Sequence, residues 1–143
     1  MNARTVGYWL TTGLGALAFA FGGFVDLSRS PDVVAGLAHL GYPLYLATLL
    51  GLWKVLGAIA VLAPRTARLK EWAYAGMFFD LTGAAFSHAS SGDPAPRILT
   101  PLVMLAFVVA SWALRPASRV LGRDAPASAR EGFGAADLAE AKS

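Results

Sequence analysis

The sequence predicts an all-α protein, a bundle of four transmembrane helices with both termini in the cytoplasm. Hydrophobic residues make up 56% of the 143 residues and charged residues only 15%, whereas a soluble domain carries about 25% charged residues. The apolar residues are also gathered into four runs of roughly 17–22 residues, long enough to cross a hydrocarbon core about 30 Å thick. The runs cover residues 6–25, 42–63, 72–89 and 98–114.

The connections between the runs complete the predicted topology. The first run continues to Val25 and is longer than the core of a signal peptide, so we expect an uncleaved helix. Ser30-Pro31-Asp32 then begins a short amphipathic segment, with Ser30 or Asp32 capping a helix on the membrane surface. Pro64 closes the second run, and the short link RTARLK makes the second and third runs an antiparallel hairpin.

Basic residues mark one side of the predicted membrane as cytoplasmic. The opposite side receives only Arg29 and Arg97, accompanied by Asp32 and Asp93. We therefore read the net charge of +3 as a topology signal in the cytoplasmic membrane of a bacterium, and not as a sign of nucleic-acid binding. Residues 1–116 form the predicted membrane domain, and residues 117–143 a mobile cytoplasmic tail. The cytoplasmic side receives Arg4, Arg65, Arg68, Lys70, Arg115, Arg119 and Arg123.

Two charged residues lie inside the second and third runs. By helical rise, Lys54 lies about 13 Å from the end of its run, and Asp80 about 12 Å from the start of the next. Because these runs form a hairpin, the two side chains reach the same depth, where an unpaired charge costs about 2.5–3.5 kcal/mol. The sequence therefore predicts that Asp80 and Lys54 are partners. Two roles stay open for the pair: functional groups that face a cavity, or a structural ion pair.

A second polar group is predicted at the outer membrane surface. Asp26 ends the first run there, His88 ends the third run, and His39 lies in the segment between the first two runs. A carboxylate beside an imidazole is an arrangement that handles protons. The alternative is that all three are ordinary interfacial residues. His39, Tyr42 and Ser87 are expected to contact a ligand, the latter two through hydrogen bonds.

Small and polar residues form a stripe at helical spacing on each run. Such stripes allow membrane helices to approach closely, so we expect a compact bundle with a polar axis. Thr11 on the first run and Ser111 on the fourth are the hydroxyl groups expected to line this axis and contact a ligand.

Several kinds of chemistry are excluded by the sequence. The chain has no cysteine, which removes disulfides, thiol nucleophiles and thiolate metal sites. No nucleotide-binding, zinc-peptidase or serine-hydrolase motif is present, and we predict no metal site. Any redox role must rest on a bound cofactor, a substrate or a partner.

Four stretches resemble the DoxX-like family of small four-helix membrane proteins. They are GYWLTTGLGALAFAFGG, HLGYPLYLATLLGLWKVLGAIAVLAP, RLKEWAYAGMFFDLTGAAFSH and SWALRP. The resemblance extends from about residue 8 to residue 116, and Asp26 stands where relatives often have lysine. Related families include a membrane subunit of thiosulfate:quinone oxidoreductase, membrane components of oxidoreductase complexes and a vertebrate receptor-assembly chaperone. The resemblance implies the architecture directly and the chemistry only by analogy.

Three functions remain as hypotheses, and whether the protein is an enzyme stays open among them. The favoured one is a quinone- or lipophile-binding component of membrane redox chemistry, in which Lys54 and Asp80 bind a carbonyl or hydroxyl head group. The partners that this hypothesis implies are the lipid bilayer, a small lipophile, and either a redox partner protein or a second copy of the chain. The second is a membrane-embedded isomerase or hydrolase, with Asp80 or Asp26 as base and His88 or Lys54 as acid. The third is a non-catalytic assembly module.

Overall fold

The protein is all-α in the part that its computed structural model describes, residues 3–116 and 119–120. Five helices and no strand are present there. They are α1 (Ala3–Ser28), α2 (Pro31–His39), α3 (Tyr45–Leu62), α4 (Ala67–Ser90) and α5 (Ala95–Leu114). The predicted all-α class is confirmed, and each of the four apolar runs corresponds to a long helix. The tail predicted for residues 117–143 lies outside the described residues, apart from Arg119 and Val120.

Three of these described helices are long and apolar enough to cross a membrane, namely α1, α3 and α5. Helix α4 has 24 residues, but it begins before the predicted third run and takes in Arg68, Lys70 and Glu71. These charges reduce the apolar content of its first turns. The structure therefore supports three candidate spans where the sequence predicted four.

Helix α2 lies on the outside of the protein. Its N-cap is Ser30, as the sequence suggested, and the Ser30 hydroxyl accepts a hydrogen bond from the Val33 backbone N–H at 3.5 Å. Pro31 takes the first helical position, where its missing N–H has no consequence. No residue of α2 is buried, so its position depends on polar contacts at its end rather than on the core.

The four long helices pack in a ring, in which α1 and α4 each contact both α3 and α5. We call this arrangement the helix ring. Short connections reverse the chain between α3 and α4 and between α4 and α5. Helix α1 is antiparallel to α3, since Arg29 contacts Thr48 while the earlier Gly23 contacts the later Gly51. Each of the four helices contributes apolar side chains to one buried core, which consists of Ala16, Phe19, Ala58, Val61, Tyr74, Met77, Leu81 and Val108.

The helix ring has two chemically different ends. The α2 end carries α2 and the connection between α4 and α5. The arginine end carries the start of α1 and the end of α5, where the Arg4 guanidinium donates to the backbone carbonyls of Ala113 and Arg115. Arg115 also pairs with Glu71 at 2.6 Å and lies over the Tyr74 ring. These contacts tie α1, α4 and α5 together at that end.

Buried polar groups are hydrogen-bonded inside the arginine end. The Ser111 hydroxyl lies 2.6 Å from the Thr12 hydroxyl and 2.8 Å from the Tyr74 hydroxyl. Below them, Tyr8 is completely buried and its hydroxyl accepts a hydrogen bond from Arg119 at 3.2 Å. Each of these hydroxyl groups therefore has a hydrogen-bond partner inside the protein, as buried polar groups require.

Lys70 is also completely buried at the arginine end. The sequence places it among the basic residues that flank the spans, but its ammonium group turns inward. It donates to the carbonyls of Ala60 and Val61, at 3.0 and 2.9 Å, and to the carbonyl of Ala63. These carbonyls lie at the C-terminal end of α3. The last C=O groups of a helix have no hydrogen-bond partner within the helix, and the helix dipole is negative there. Lys70 therefore fastens the start of α4 to the end of α3.

Candidate functional site

Helices α1 and α3 touch through their backbones at two glycines. A Cβ atom added to Gly23 would lie 2.7 Å from the carbonyl oxygen of Gly51, and one added to Gly51 would lie 2.8 Å from that of Gly23. Neither position therefore accommodates a side chain without a shift of the backbone. This is the close approach that stripes of small residues allow between membrane helices.

The glycine contact brings Asp26 and Lys54 together. Each lies three residues after its glycine, on the same face of its helix. Helical side chains lean toward the N-terminus of their helix, and α1 and α3 are antiparallel, so Asp26 and Lys54 lean toward each other. The Lys54 Nζ donates to the Asp26 Oδ2 at 2.8 Å.

Asp80 of α4 completes this group, which we call the carboxylate–lysine cluster (Asp26, Lys54 and Asp80). The Lys54 Nζ lies 3.9 Å from the Asp80 Oδ2, so the predicted pairing is present. It is the longer of the two contacts, however, and the sequence did not predict Asp26 as the nearer partner. The three side chains are mostly covered, with exposed fractions of 18–23%. One cation thus stands between two carboxylates, and Asp80 is held less tightly.

A cavity of about 400 Å³ lies beside Asp80 in the α2 half of the helix ring. All four ring helices line it, and its walls are mainly apolar. Its volume falls within the range of small-molecule sites, about 300–1,000 Å³. A second cavity of about 410 Å³ lies in the arginine half, between α4 and α5, and shares no lining residue with the first. The charged or titratable residues along the wall of the first cavity are Lys54, Asp80, His88 and Arg97.

A second group of side chains joins three helices at the α2 end. The Asp93 carboxylate accepts hydrogen bonds from His39 Nε2 at 2.9 Å and from His88 Nδ1 at 2.7 Å, one on each oxygen. Arg97 adds a third donor at 3.1 Å. Asp93 is only 5% exposed, so its partners cover it. We call the His39, Asp93 and His88 group the imidazole bridge.

The end of α4 explains how Asp93 reaches His88. Gly92 has φ of 71°, the left-handed conformation that ends many helices. The chain folds back there, and the Asp93 N–H donates to the His88 carbonyl at 3.0 Å. The side chain of Asp93 consequently lies beside the His88 ring.

Acidification below pH 3.8 is expected to release α2 from the ring. The hydrogen bond from His88, followed by that from His39, holds the pKa of the Asp93 carboxyl below its ordinary value of 3.8. The stabilisation is therefore complete above that pH and is lost as the pH falls through the lowered pKa, when Asp93 gains a proton. The fluorescence anisotropy of a dye on Ala35→Cys, in a chain with no other cysteine, should fall in one step.

The control for this titration is the same labelled protein with Asp93→Asn, which has no carboxyl group at that position. It should show higher mobility of α2 at neutral pH and no step in acid. An acid step that persists unchanged in Asp93→Asn would assign the release to another carboxyl group and contradict the expectation.

The structure separates the predicted site residues into four places. Lys54, Asp80 and His88 line the cavity, Asp26 lies behind Lys54, and His39 lies at the α2 end. The remaining four hydroxyl residues of the prediction make hydrogen bonds away from the charged groups of the cavity, and their part in ligand binding stays a prediction. Tyr42 and Ser87 bond to each other at 2.7 Å, Thr11 donates to carbonyls of its own helix, and Ser111 belongs to the arginine end.

Two residues of this region were not predicted as site residues. The two histidines were expected to meet Asp26, but the carboxylate that they contact is Asp93. Its signal in the sequence is the turn SSGDP, because a glycine after a helix end folds the next residue back onto the last turn. Arg97 is the other addition, and it meets Asp93 at the (i, i+4) spacing.

Apolar helices around a cavity that carries a few charged side chains define the class of this protein. It is a small all-α integral membrane protein whose helices contact the lipid bilayer and hold charged side chains within the ring. The chain belongs to the DoxX-like family, whose sequence pattern matches residues 10–111. The match includes the carboxylate–lysine cluster and the imidazole bridge. Neither the comparison with curated proteins nor the comparison with solved structures found a match.

Proposed function

We propose that the protein binds a small lipophilic molecule in the cavity beside Asp80, and that a quinone is the leading candidate. The observation that carries this proposal is the cavity itself, which combines mainly apolar walls with Lys54, Asp80 and His88. Ionisable side chains within membrane helices are costly unless they serve a site or a path. Apolar walls with a few convergent polar groups are the ordinary pattern of a ligand site.

The chemistry of the cavity favours an oxygen-bearing ring as the head group. Asp80 accepts a hydrogen bond when ionised and donates one when protonated, so it serves a hydroxyl or a carbonyl group. Lys54, held by Asp26, provides positive charge next to the same position. A quinone presents the carbonyl in its oxidised form and the hydroxyl in its reduced form, which connects this site to membrane redox chemistry through a partner protein.

The proposed placement in the membrane has four crossings. Helix α4 packs between α3 and α5, which are themselves candidate spans, so α4 crosses with them and its charged first turns lie at the membrane surface. The arginine end faces the cytoplasm by the positive-inside rule, and we place the chain in the cytoplasmic membrane of a bacterium. Labelling of single cysteines at both ends, in a chain without native cysteine, tests this orientation.

The variant Asp80→Asn is expected to lose the bound lipophile. The asparagine amide cannot take up a proton or neutralise the positive charge of Lys54. The affinity for the head group should therefore fall by about tenfold to a hundredfold, which is the effect of losing one hydrogen bond to a charged group. The measurement is mass spectrometry of the organic extract of protein purified in mild detergent, followed by titration with a short-chain benzoquinone.

The matched control is Asp32→Asn, the same change on α2 at an exposed position outside the cavity. It should retain the molecule at the wild-type amount. If the wild type and both variants yield only bulk phospholipid and fail to bind the benzoquinone, the quinone proposal is wrong. A different single lipophile that is lost only in Asp80→Asn would replace the quinone but keep the site.

A further inference from the structure

We propose that the imidazole bridge is a proton relay that connects the solvent at the α2 end with Asp80 in the cavity. The proposal concerns proton movement and does not depend on which molecule the cavity binds. It rests on three features: one carboxylate joins two imidazoles, one of these imidazoles lines the cavity, and the described polar groups of the opposite end do not line that cavity.

The first feature is the geometry around Asp93. His39 bonds to one carboxylate oxygen at 2.9 Å and His88 bonds to the other at 2.7 Å. Both distances are those of good hydrogen bonds. The side chain of His39 is 45% exposed, whereas that of Asp93 is 5% exposed. The bridge therefore runs from solvent to a covered carboxylate and on to His88.

The second feature is the position of His88. Its Nδ1 contacts Asp93, so its Nε2 is the ring nitrogen left for the cavity that the residue lines. Asp80, Ala84 and His88 follow one another at intervals of four residues on α4 and all line that cavity. His88 lies about 12 Å from Asp80 by helical rise. The cavity between them has room for roughly ten water molecules at about 30 Å³ each.

The third feature is the absence of an equivalent route at the arginine end among the described residues. The cavity in that half is lined by α4 and α5 alone, has Glu71 as its single charged lining residue and shares no lining residue with the cavity beside Asp80. The hydroxyl groups of Thr12, Ser111 and Tyr74 bond to one another and are buried. A proton that reaches Asp80 from water therefore has its polar path on the α2 side.

The relay balances its protons at every step. A proton from water binds His39 Nδ1, and the Nε2 proton of His39 moves to the first oxygen of Asp93, which leaves His39 neutral and Asp93 protonated. The Asp93 carboxyl group rotates and passes this proton to Nδ1 of His88 in its Nε2–H tautomer, which restores the carboxylate. The His88 imidazolium then releases its Nε2 proton into the cavity, so one proton enters and one leaves. Both rings end as Nδ1–H tautomers, and each returns to its Nε2–H tautomer by exchange with water before the next transfer. Arg97 faces the same carboxylate, and it keeps Asp93 beside both rings while the protons move.

The test is a rapid pH jump on the purified full-length chain in detergent micelles. Infrared spectroscopy follows the carbonyl band of protonated Asp80, which is identified as the band that Asp80→Asn lacks. We expect His88→Ala and Asp93→Asn to slow its appearance by about 10²-fold or more, the usual contribution of a positioned proton-transfer group. Added imidazole should restore the rate in His88→Ala, which a loss of structure alone would not permit.

Asp32→Asn is the control, since it removes a carboxylate from the same end without touching the bridge. It should respond as the wild type does. Circular dichroism must show that every variant keeps its helices. The proposal is overturned if both bridge variants respond at the wild-type rate, if imidazole has no effect on a folded His88→Ala protein, or if Asp80 yields no band at any pH.

Discussion

Replacement of Lys54 by methionine is expected to lower the free energy of unfolding by about 3 kcal/mol, because it leaves two carboxylates facing each other without a cation. Lys54 is the shared partner of Asp26 and Asp80. Removal of one member of a buried ion pair costs about 3–5 kcal/mol, and the partial exposure of this cluster places the expected loss at the lower end. Equilibrium unfolding in mixed micelles measures it.

A triple variant separates the stability of the cluster from its function. Asp26→Asn, Lys54→Met and Asp80→Asn together remove all three charges while keeping similar shapes. This variant should recover most of the stability lost by Lys54→Met but still fail to bind the lipophile. If Lys54→Met unfolds at the wild-type free energy, the cluster contributes nothing to folding. If the triple variant still binds, the charges are not the ligand site.

The substitution Gly51→Ala is expected to separate α1 from α3. Its new methyl group would lie 2.8 Å from the Gly23 carbonyl oxygen. Because this oxygen belongs to the backbone, the clash cannot be relieved by a change of side-chain rotamer. Overpacking of this kind costs about 1–3 kcal/mol. The separation should also weaken the contact between Asp26 and Lys54, so we expect the loss of bound lipophile along with a lower unfolding free energy.

Gly13→Ala on α1 provides the matched control. Its Cβ atom meets nothing within 4 Å, and alanine is a better helix former than glycine. The variant should therefore be neutral or slightly more stable, with unchanged binding. Equal effects of Gly51→Ala and Gly13→Ala would show that helix propensity, and not the close approach of α1 and α3, accounts for the result.

The helices and the depth of the buried charges could be predicted from the sequence. Long apolar runs define helices because the backbone must satisfy its own hydrogen bonds in lipid. The rise per residue is fixed, and the link between α3 and α4 is short, so Lys54 and Asp80 had to reach the same level. The structure bears this out, with 3.9 Å between their charged atoms.

The fourth crossing could not be decided in the same way. Helix α4 includes charged residues in its first turns that the predicted run 72–89 left out. Lys70 is one of these, and it is buried against the last carbonyls of α3. A charge that caps a neighbouring helix cannot be distinguished from a charge at the membrane surface by composition alone.

The sequence by itself determined that this is a helical membrane protein of the DoxX-like family with charges inside its helices. The sequence also predicted that Lys54 meets Asp80, but only the tertiary structure decided the partners of Asp26 and of the two histidines. Asp26 contacts Lys54 because two glycines bring α1 against α3, and both histidines contact Asp93 because the chain reverses at Gly92. The physical reason is that helical rise fixes depth along the helix axis, whereas helix rotation and turn geometry, which depend on packing across the whole ring, fix the partners.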